Sequence, residues 1–403
     1  MTMAFQMQEV IIGWTVYALT KDPLALGLVG LIAVLPEISV SLYAGHISDR
    51  KDRKVITLTA MGVLMGLAVL FLVLSSNMHQ TYSRFGVLPI YAILFCAGIS
   101  FGFLSPSISA FGLQLLPEEL YANASSWRSS TWQTGAIAGP ALGGLLYGFI
   151  GPTWSFAVVL LFFVIAITCM AMIPSKGVPK LIEGETLGES LKKGIQFVFR
   201  NQVIVGALSL DLFAVLFGGA VAMLPFFASD ILMIGPTGFG ILRAAPSIGA
   251  VVVALWMTQR PLKGFIGKKL FFAVMGFGLT IIVFGFSRNV YLSLAMLALG
   301  GAFDSVSVVI RSTLLNLSTP NEMRGRVEAV NMMFIGSSNE IGWFESGVAA
   351  KILGLVPSVV FGGIMTLVSV GVTSKVAPVL RNLRYEDLLH STKSSEQTSD
   401  DKA

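Results

Sequence analysis

Nine charged side chains sit inside stretches of this chain that are otherwise apolar enough to cross a bilayer: Glu9, Glu37, Arg128, Asp211, Arg243, Asp304, Arg311, Glu340 and Glu345. An ionised group is costly in hydrocarbon, so each of these is paired, protonated or turned toward a polar cavity. The chemistry open to such a set is proton or ligand binding, with arginine either as the partner of a carboxylate or as an anion holder. For any one of them a structural ion pair stands as the alternative to a binding role, and at least one is expected to bind a proton or substrate. Asp304 and Arg311 are seven residues apart, so they share a helix face about 10 Å apart along the axis. That is too far for a direct pair, and each needs a partner on another helix. Glu340 and Glu345, five apart, point to different faces. Trp132, Gln133 and Asn331 add polar and aromatic groups that either line a cavity or anchor at the interface. No nucleophile–base set or phosphate-binding loop accompanies them, and His46, His79 and His390 show no metal-ligand spacing. No enzyme, cofactor or metal is expected.

The elements that must position these residues are membrane helices. The 403 residues are 54% hydrophobic and 12% charged, against roughly 25% charged in soluble domains. Charge-free runs such as Val55–Ser83, Val87–Leu116 and Ile352–Ser374 exceed the ~20 residues a spanning helix needs. The run Ser129–Ser175 holds two spans broken at Gly151-Pro152-Thr153-Trp154. Twelve helices are expected, at about 2–20, 24–47, 54–76, 87–116, 122–149, 153–173, 202–230, 237–258, 266–287, 290–317, 323–351 and 354–376. The fold class is thus an all-α polytopic membrane protein.

Twenty Lys and Arg residues fall on one side of these helices and four (Lys21, Arg84, Arg288, Lys351) on the other. The positive-inside rule makes the first side cytoplasmic, and an even number of spans puts both termini there. The net charge of +5 follows from this sidedness and points to a lipid bilayer, not to nucleic acid. The first helix carries Gln6, Gln8 and Glu9 and no basic n-region, so it is a span and not a signal peptide, with a true start other than Met1 expected. Cys96 and Cys169, inside apolar runs, are expected as buried small hydrophobes.

A shift of 203 residues aligns LPEELYANAS at Leu116 with TPNEMRGRVE at Thr319, Gly139 with Gly342, and Gly144 with Gly347. This register implies two six-helix repeats. The expected division is a bundle over 1–173, a linker over 174–201, a second bundle over 202–378 and a disordered cytoplasmic tail over 379–403. In the linker, Leu191, Ile195, Val198 and Phe199 recur at helical spacing beside Lys192 and Lys193, which predicts an amphipathic helix on the membrane surface.

Two motifs carry a resemblance. Gly45-His-Ile-Ser-Asp49-Arg50-Lys-Asp-Arg53-Lys54 packs six charges into ten positions and is similar to the loop between helices 2 and 3 of the major facilitator superfamily. One departure is Asp52, where many members have Gly. The plainer alternative is a charged turn and nothing more. GAIAGPALGG, with Gly135, Gly139, Pro140, Gly143 and Gly144, resembles the helix-5 signature of drug–proton antiporters. Small residues at this spacing let helices approach closely, and generic packing remains the alternative. Gly139 and Gly143 are expected at the interface between the halves.

The opening GWTVYALTKDPLALG, SLKKGIQFVFRN, TPNEMRGRVEAVN and SSNEIGWFESG extend the resemblance over nearly the whole chain. They look like the branch containing the enterobactin exporter and macrolide efflux proteins. The resemblance implies gating by Asp49 against the start of helix 11, near Arg324 and Arg326. It further implies a bacterial inner-membrane antiporter that exports an amphipathic small molecule, drug or siderophore, by alternating access driven by protons. Helix 4 lacks the arginine of many drug antiporters, so coupling would rest on other residues. The alternative function is an uptake carrier for a polar nutrient, against which IPSKGVPKLIEGE lacks the signature of sugar carriers.

Overall fold

The computed structural model describes residues 1–76, 84–117, 120–177, 187–260, 263–320 and 323–388, and among these every regular element is a helix. In chain order they are α1 (Thr2–Thr20), α2 (Pro23–Arg50), α3 (Arg53–Ser76), α4 (Leu88–Gln114), α5 (Tyr121–Met172), α6 (Leu187–Arg200) and α7 (Gln202–Phe217). An irregular run comes next, with a 3-10 turn at Ala220–Met223 and a π turn at Phe227–Ile231. Then come α8 (Gly235–Thr258), α9 (Ile266–Phe286), α10 (Val290–Ser318), α11 (Arg324–Leu353), α12 (Leu355–Val376) and the short α13 (Pro378–Asn382).

Nine helices among the described residues are long and apolar enough to cross a membrane. One of them lies within α5, which divides at Gly151 (φ 75°, ψ 176°), with Pro152 opening the second segment. Proline suits that first helical position because its missing N–H would be unbonded anyway. Both α1 and α11 fall short in apolarity because of residues such as Gln8, Glu9, Asn331 and Glu340. With α1, α11 and the division of α5, the arrangement is consistent with twelve spans. Side-chain caps start several of the helices. Asp22 accepts from Leu24 N–H (3.1 Å), Asn201 from Val203 and Ile204 (3.0 and 3.2 Å), and Asn289 from Tyr291 and Leu292 (2.9 and 3.2 Å). Such caps are worth about 1 kcal/mol each.

The 203-residue register reappears in the backbone. Gly151 corresponds to Gly354, which separates α11 from α12 with φ 92° and ψ 163°. Both need the glycine, since a side chain is strained at such φ. Gly98 corresponds to Gly301. A Cβ on Gly98 would lie 2.0 Å from Ala33 O of α2, and one on Gly301 would lie 1.9 Å from Pro246 O of α8. Gly139 meets α1 as Gly342 meets α7.

By contacts the chain divides into two compact units. The first holds Met1–Leu187 with Val221–Ala244, and the second Gly188–Ala220 with Ala245–Ala403. In the first, α1 packs along α5, α2 along α4, and α3 against both α4 and α5. The Phe5 ring lies 4.1 Å from that of Phe101, and Phe71 stacks on Phe156 at 5.3 Å. In the second, α7 packs on α11 and α12, and α9 on α10 and α12, around Leu210, Leu270, Leu314 and Leu380. The contact division departs from the sequence repeat at one place, because Val221–Ala244, from the second sequence half, packs on α1 and α5.

Three local expectations change. Helix 7 does not run unbroken to residue 230, because its α-helix ends at Gly218 and gives way to the irregular run. The segment beyond the last span is ordered as far as residue 388, because Leu380 and Leu388 are buried in the second unit; the remainder of the expected tail lies outside the described residues. Cys96 and Cys169 are exposed, on the outward faces of α4 and α5. In α6, Val198 is buried against Val327 and Val330 of α11, Ile195 and Phe199 are exposed, and Leu191 lies outside the described side chains.

Candidate functional site

The first unit gathers polar and aromatic contacts between α1 and the run 221–244. Glu9 forms an ion pair with Arg243, their side chains 33% and 19% exposed. Two turns further along α1, the Tyr17 hydroxyl donates to Asp230 in the π turn. Between them the Trp14 ring stacks on Phe239 at 5.8 Å, and Tyr17 meets Phe226 edge-on at 4.7 Å. Irregular backbone at 220–231 sets these partners. Asp230 lies within the π turn, a rare helical form often found at functional sites. Tyr17 and Asp230 were not singled out from sequence. Asp230 falls at the last residue of the expected helix 7.

The helix-5 motif supplies the other wall. A Cβ on Gly135 would sit 2.8 Å from Thr2 Cγ2, one on Gly139 2.5 Å from Gln6 Cβ, and one on Gly143 2.9 Å from Met7 O. These three glycines therefore seat α5 on α1, a helix of the same half, rather than on the other half as expected. Gly144 faces differently. Its Cβ would lie 2.6 Å from Gly240 Cα and 2.7 Å from Pro236 O, at the start of α8. Pro140, buried, turns its carbonyl to the same place: a Cβ on Gly240 would meet Pro140 O at 2.6 Å.

In the second unit Asp211 of α7 pairs with Arg311 of α10, both buried, at 7% and 3% exposure. Arg311 thus finds its partner across helices. Asp304, on the same helix, is partly buried, as are Glu37 on α2 and Glu345 on α11. None of these three has a hydrogen-bond or ion-pair partner among the described residues, whereas Glu340 is engaged. Asn331 is buried, with its Oδ1 unbonded and its Nδ2 3.5 Å from Glu328. Gln8 Oε1, on α1, is likewise buried and unbonded. Trp132 is 56% exposed and Gln133 partly buried. Arg128 is exposed and donates to Ser109 Oγ at 3.4 Å.

The charged turn ties four helix ends together. Arg53 donates to Ser48 O (3.2 Å) and Ala110 O (3.4 Å), and Lys54 Nζ to Ala171 O (2.8 Å). Asp52, the departure from the family pattern, accepts from Lys54 N–H at 2.9 Å and from the Ser175 hydroxyl. It therefore starts α3 and holds the end of α5, a role that sequence reading missed. Gly45 lies in the last turns of α2, and Arg50 ends the helix exposed. The side chains of Asp49 and Arg324 lie outside those described. Arg326 reaches Met323 Sδ at 3.2 Å and packs by its backbone near Gly194 of α6.

Known proteins resemble this chain in sequence and in fold. The model of a family described as transmembrane secretion effector matches residues 2–401. Among curated relatives, the uncharacterized MFS-type transporter YfmI of Bacillus subtilis (strain 168) is 22% identical over 381 residues, covering 91% of each chain. The enterobactin exporter EntS of Shigella flexneri is 25% identical over 293 residues, covering 72% of this chain and 67% of its own. Among solved structures, a POT family transporter in complex with 5-aminolevulinic acid has a TM-score of 0.70 at 12% identity, covering 94% of this chain and 95% of that one. The nucleoside transporter NupG, in a mutant form, has 0.67 at 14% identity, covering 93% and 97%.

Proposed function

From the premise that this chain belongs to the transmembrane secretion effector family of the major facilitator superfamily, and so is a multi-pass membrane transporter, we propose that it exports an amphipathic small molecule, a drug or siderophore, in exchange for protons. The observation that carries coupling is the split among the membrane acids. Glu9 and Asp211 are neutralised by arginines, while Glu37, Asp304 and Glu345 have no protein partner among the described residues. An unpaired carboxylate in a low-dielectric span is held most cheaply as the acid, so it takes up and releases a proton as its surroundings alternate. Export is supported by the likeness to an enterobactin exporter.

The side rich in Lys and Arg is cytoplasmic in this reading, with both termini there and the bilayer a bacterial inner membrane. The Tyr17–Asp230, Trp14–Phe239 and Gly144–Gly240 contacts then lie toward the external side, at the end of α1, the start of α8 and near the Gly151 bend of α5. They part when substrate leaves outward. On the cytoplasmic side, we assign the opposing gate to the residues the family resemblance implies, Gly45, Asp49, Arg50, Arg53 and Lys54 in one unit and Arg324 and Arg326 in the other.

Everted membrane vesicles test the reading. With an imposed pH gradient, vesicles carrying the protein should accumulate a labelled siderophore or lipophilic cation. Asp304→Asn should abolish that accumulation while the protein still inserts and still exchanges substrate without a gradient. Glu340→Gln tests an acid that is already engaged, and Glu345→Gln extends the series to the unpartnered acid of α11. Gradient-driven export at the unsubstituted rate in Asp304→Asn removes that carboxyl from coupling. Substrate accumulation by intact cells, in place of its loss, favours a nutrient carrier instead.

A further inference from the structure

A cluster of exposed basic side chains lies past the end of α8, at the start of α9 and past the end of α12. Six cations are exposed there: Arg260, Lys263, Lys268 and Lys269 on the turn into α9, and Arg381 and Arg384 on the segment after α12. Glu386 and Asp387 are the acids beside them. These two stretches are more than a hundred residues apart in sequence, yet they are knitted into one piece. Tyr385 N–H donates to Gly264 O at 2.9 Å, Gly264 N–H to Glu386 Oε1 at 3.1 Å, and Gly267 N–H to Leu383 O at 3.3 Å. Gly267 has no room for a side chain, because a Cβ there would fall 1.8 Å from Leu380 O. Leu380 and Leu388 anchor the segment in the core around Leu270 and Leu210.

Four of the six cations are held in place as well as brought together. Arg384 and Lys268 sit over the ring of Phe265, at 4.3 and 4.4 Å from its centre. Lys269 Nζ is fixed on Lys263 O at 2.8 Å, and Arg260 lies over Trp256 at 5.1 Å. The Glu386 carboxyl is drawn below its ordinary range by its own backbone N–H and that of Gly264. It stays ionised beside Arg384 and Lys269, so the patch carries six exposed cations against the two acids Glu386 and Asp387. Trp256, 54% exposed in the last turns of α8, marks the level where indole rings favour the membrane–water boundary.

We propose that this platform, built from the α8–α9 turn and the folded-back segment after α12, binds the phosphate headgroups of anionic phospholipids in the surrounding leaflet. A basic cluster immediately beyond membrane helices attracts acidic lipid. Here four of the cations face the bilayer edge from fixed positions, so little side-chain freedom remains to be lost on binding. The placement at helix ends, level with Trp256, commits the site to a membrane lipid and not to a soluble anion.

The test uses the full chain purified in mild detergent, with bound lipid counted by native mass spectrometry. Phosphatidylglycerol should be retained over phosphatidylethanolamine by about tenfold or more, and raised salt should erode that preference. Lys263→Ala, Lys268→Ala, Lys269→Ala and Arg384→Ala combined should abolish it, while Lys→Arg at the three lysines should keep it. The thermal transition reports whether each variant is folded. If the alanine variant does not fold, the unsubstituted chain still decides, since equal retention of the two lipids overturns the proposal. So does undiminished phosphatidylglycerol preference in a folded alanine variant. Displacement of the lipid by an equal concentration of inorganic phosphate overturns it too, because it would make this a free-anion site.

Discussion

Glu9–Arg243 and Asp211–Arg311 are the same chemical pair in two different settings. The first joins α1 to the run 221–244 with side chains 33% and 19% exposed, beside a π turn and a glycine-to-glycine contact. The second joins α7 to α10, is almost wholly buried, and lies within regular helices. Solvent access decides how each behaves. Where the exposed side of the first pair opens on a water-filled cavity, water competes for it, so parting it costs little and it is fit to open and close. A buried pair has no such relief. Parting it strands a charge in low dielectric, so it holds two helices in one arrangement. In this chain one pair suits a gate and the other a fixed brace.

The brace gives the largest expected effect. Asp211→Asn leaves Arg311 buried without its counter-charge, which costs about 3–5 kcal/mol. The yield of folded protein and its thermal transition should both fall. Removing both charges with Asp211→Leu and Arg311→Met should restore stability to near the unsubstituted level, since hydrophobic replacements of buried pairs are often neutral. A double variant as unstable as the single one would mean that the pair itself, and not merely the stranded arginine, sustains the fold.

Next in size is the glycine contact of the gate. Gly144→Ala places a methyl 2.6 Å from Gly240 Cα, and overpacking of this kind costs about 1–3 kcal/mol. Because that contact is made only while α5 and α8 are together, the cost shifts the gate toward its open state. The shift is about tenfold for each 1.4 kcal/mol. Distances between spin labels near the Gly151 bend of α5 and at the start of α8 should lengthen. Gly62→Ala is the control. Nothing lies within 4 Å of a Cβ there, so it should be neutral or stabilise by up to about 1 kcal/mol. Equal distance distributions in the two variants would separate Gly144 from gating.

Why were the spans readable from sequence and the gate not? Apolar runs and breakers act locally. Gly151-Pro152 ends one helix and starts another whatever surrounds it, and it divides α5 where the sequence placed the break. The glycine spacing of helix 5 likewise signalled close packing, though not that Gly143 and Gly144 would face different helices. Partner choice is a long-range property. Glu9 and Arg243 are 234 residues apart, and Tyr17 and Asp230 are 213 apart, so no spacing rule reaches them. The π turn that contains Asp230 has no compositional mark in FASDI. Apolarity is ambiguous for a different reason, since lipid and protein interior are alike to an apolar side chain. Cys96 lies outward and Val198 inward, although both sit in apolar patterns.

The smallest effects come from the two polar contacts of the gate, and their sum is more telling than either alone. Glu9→Gln removes a partly exposed pair worth about 0.2–1 kcal/mol, a change of at most about fivefold in gate population. Tyr17→Phe removes one hydrogen bond to the exposed Asp230, worth about 1 kcal/mol or less. Residues 9 and 17 are two turns apart on α1, about 12 Å along the axis, and have different partners. Sites separated by that much normally add within about 0.3–0.5 kcal/mol. If both contacts are made in the closed state and lost in the open one, their free energies must add in the closed–open equilibrium, read from label distances across α1 and α8. An additive double variant supports a single gate that opens as a unit. If Tyr17→Phe has no effect once Glu9→Gln is present, the Arg243 end opens first and the Tyr17 end merely trails it, which would break the one-gate reading while leaving the buried brace untouched.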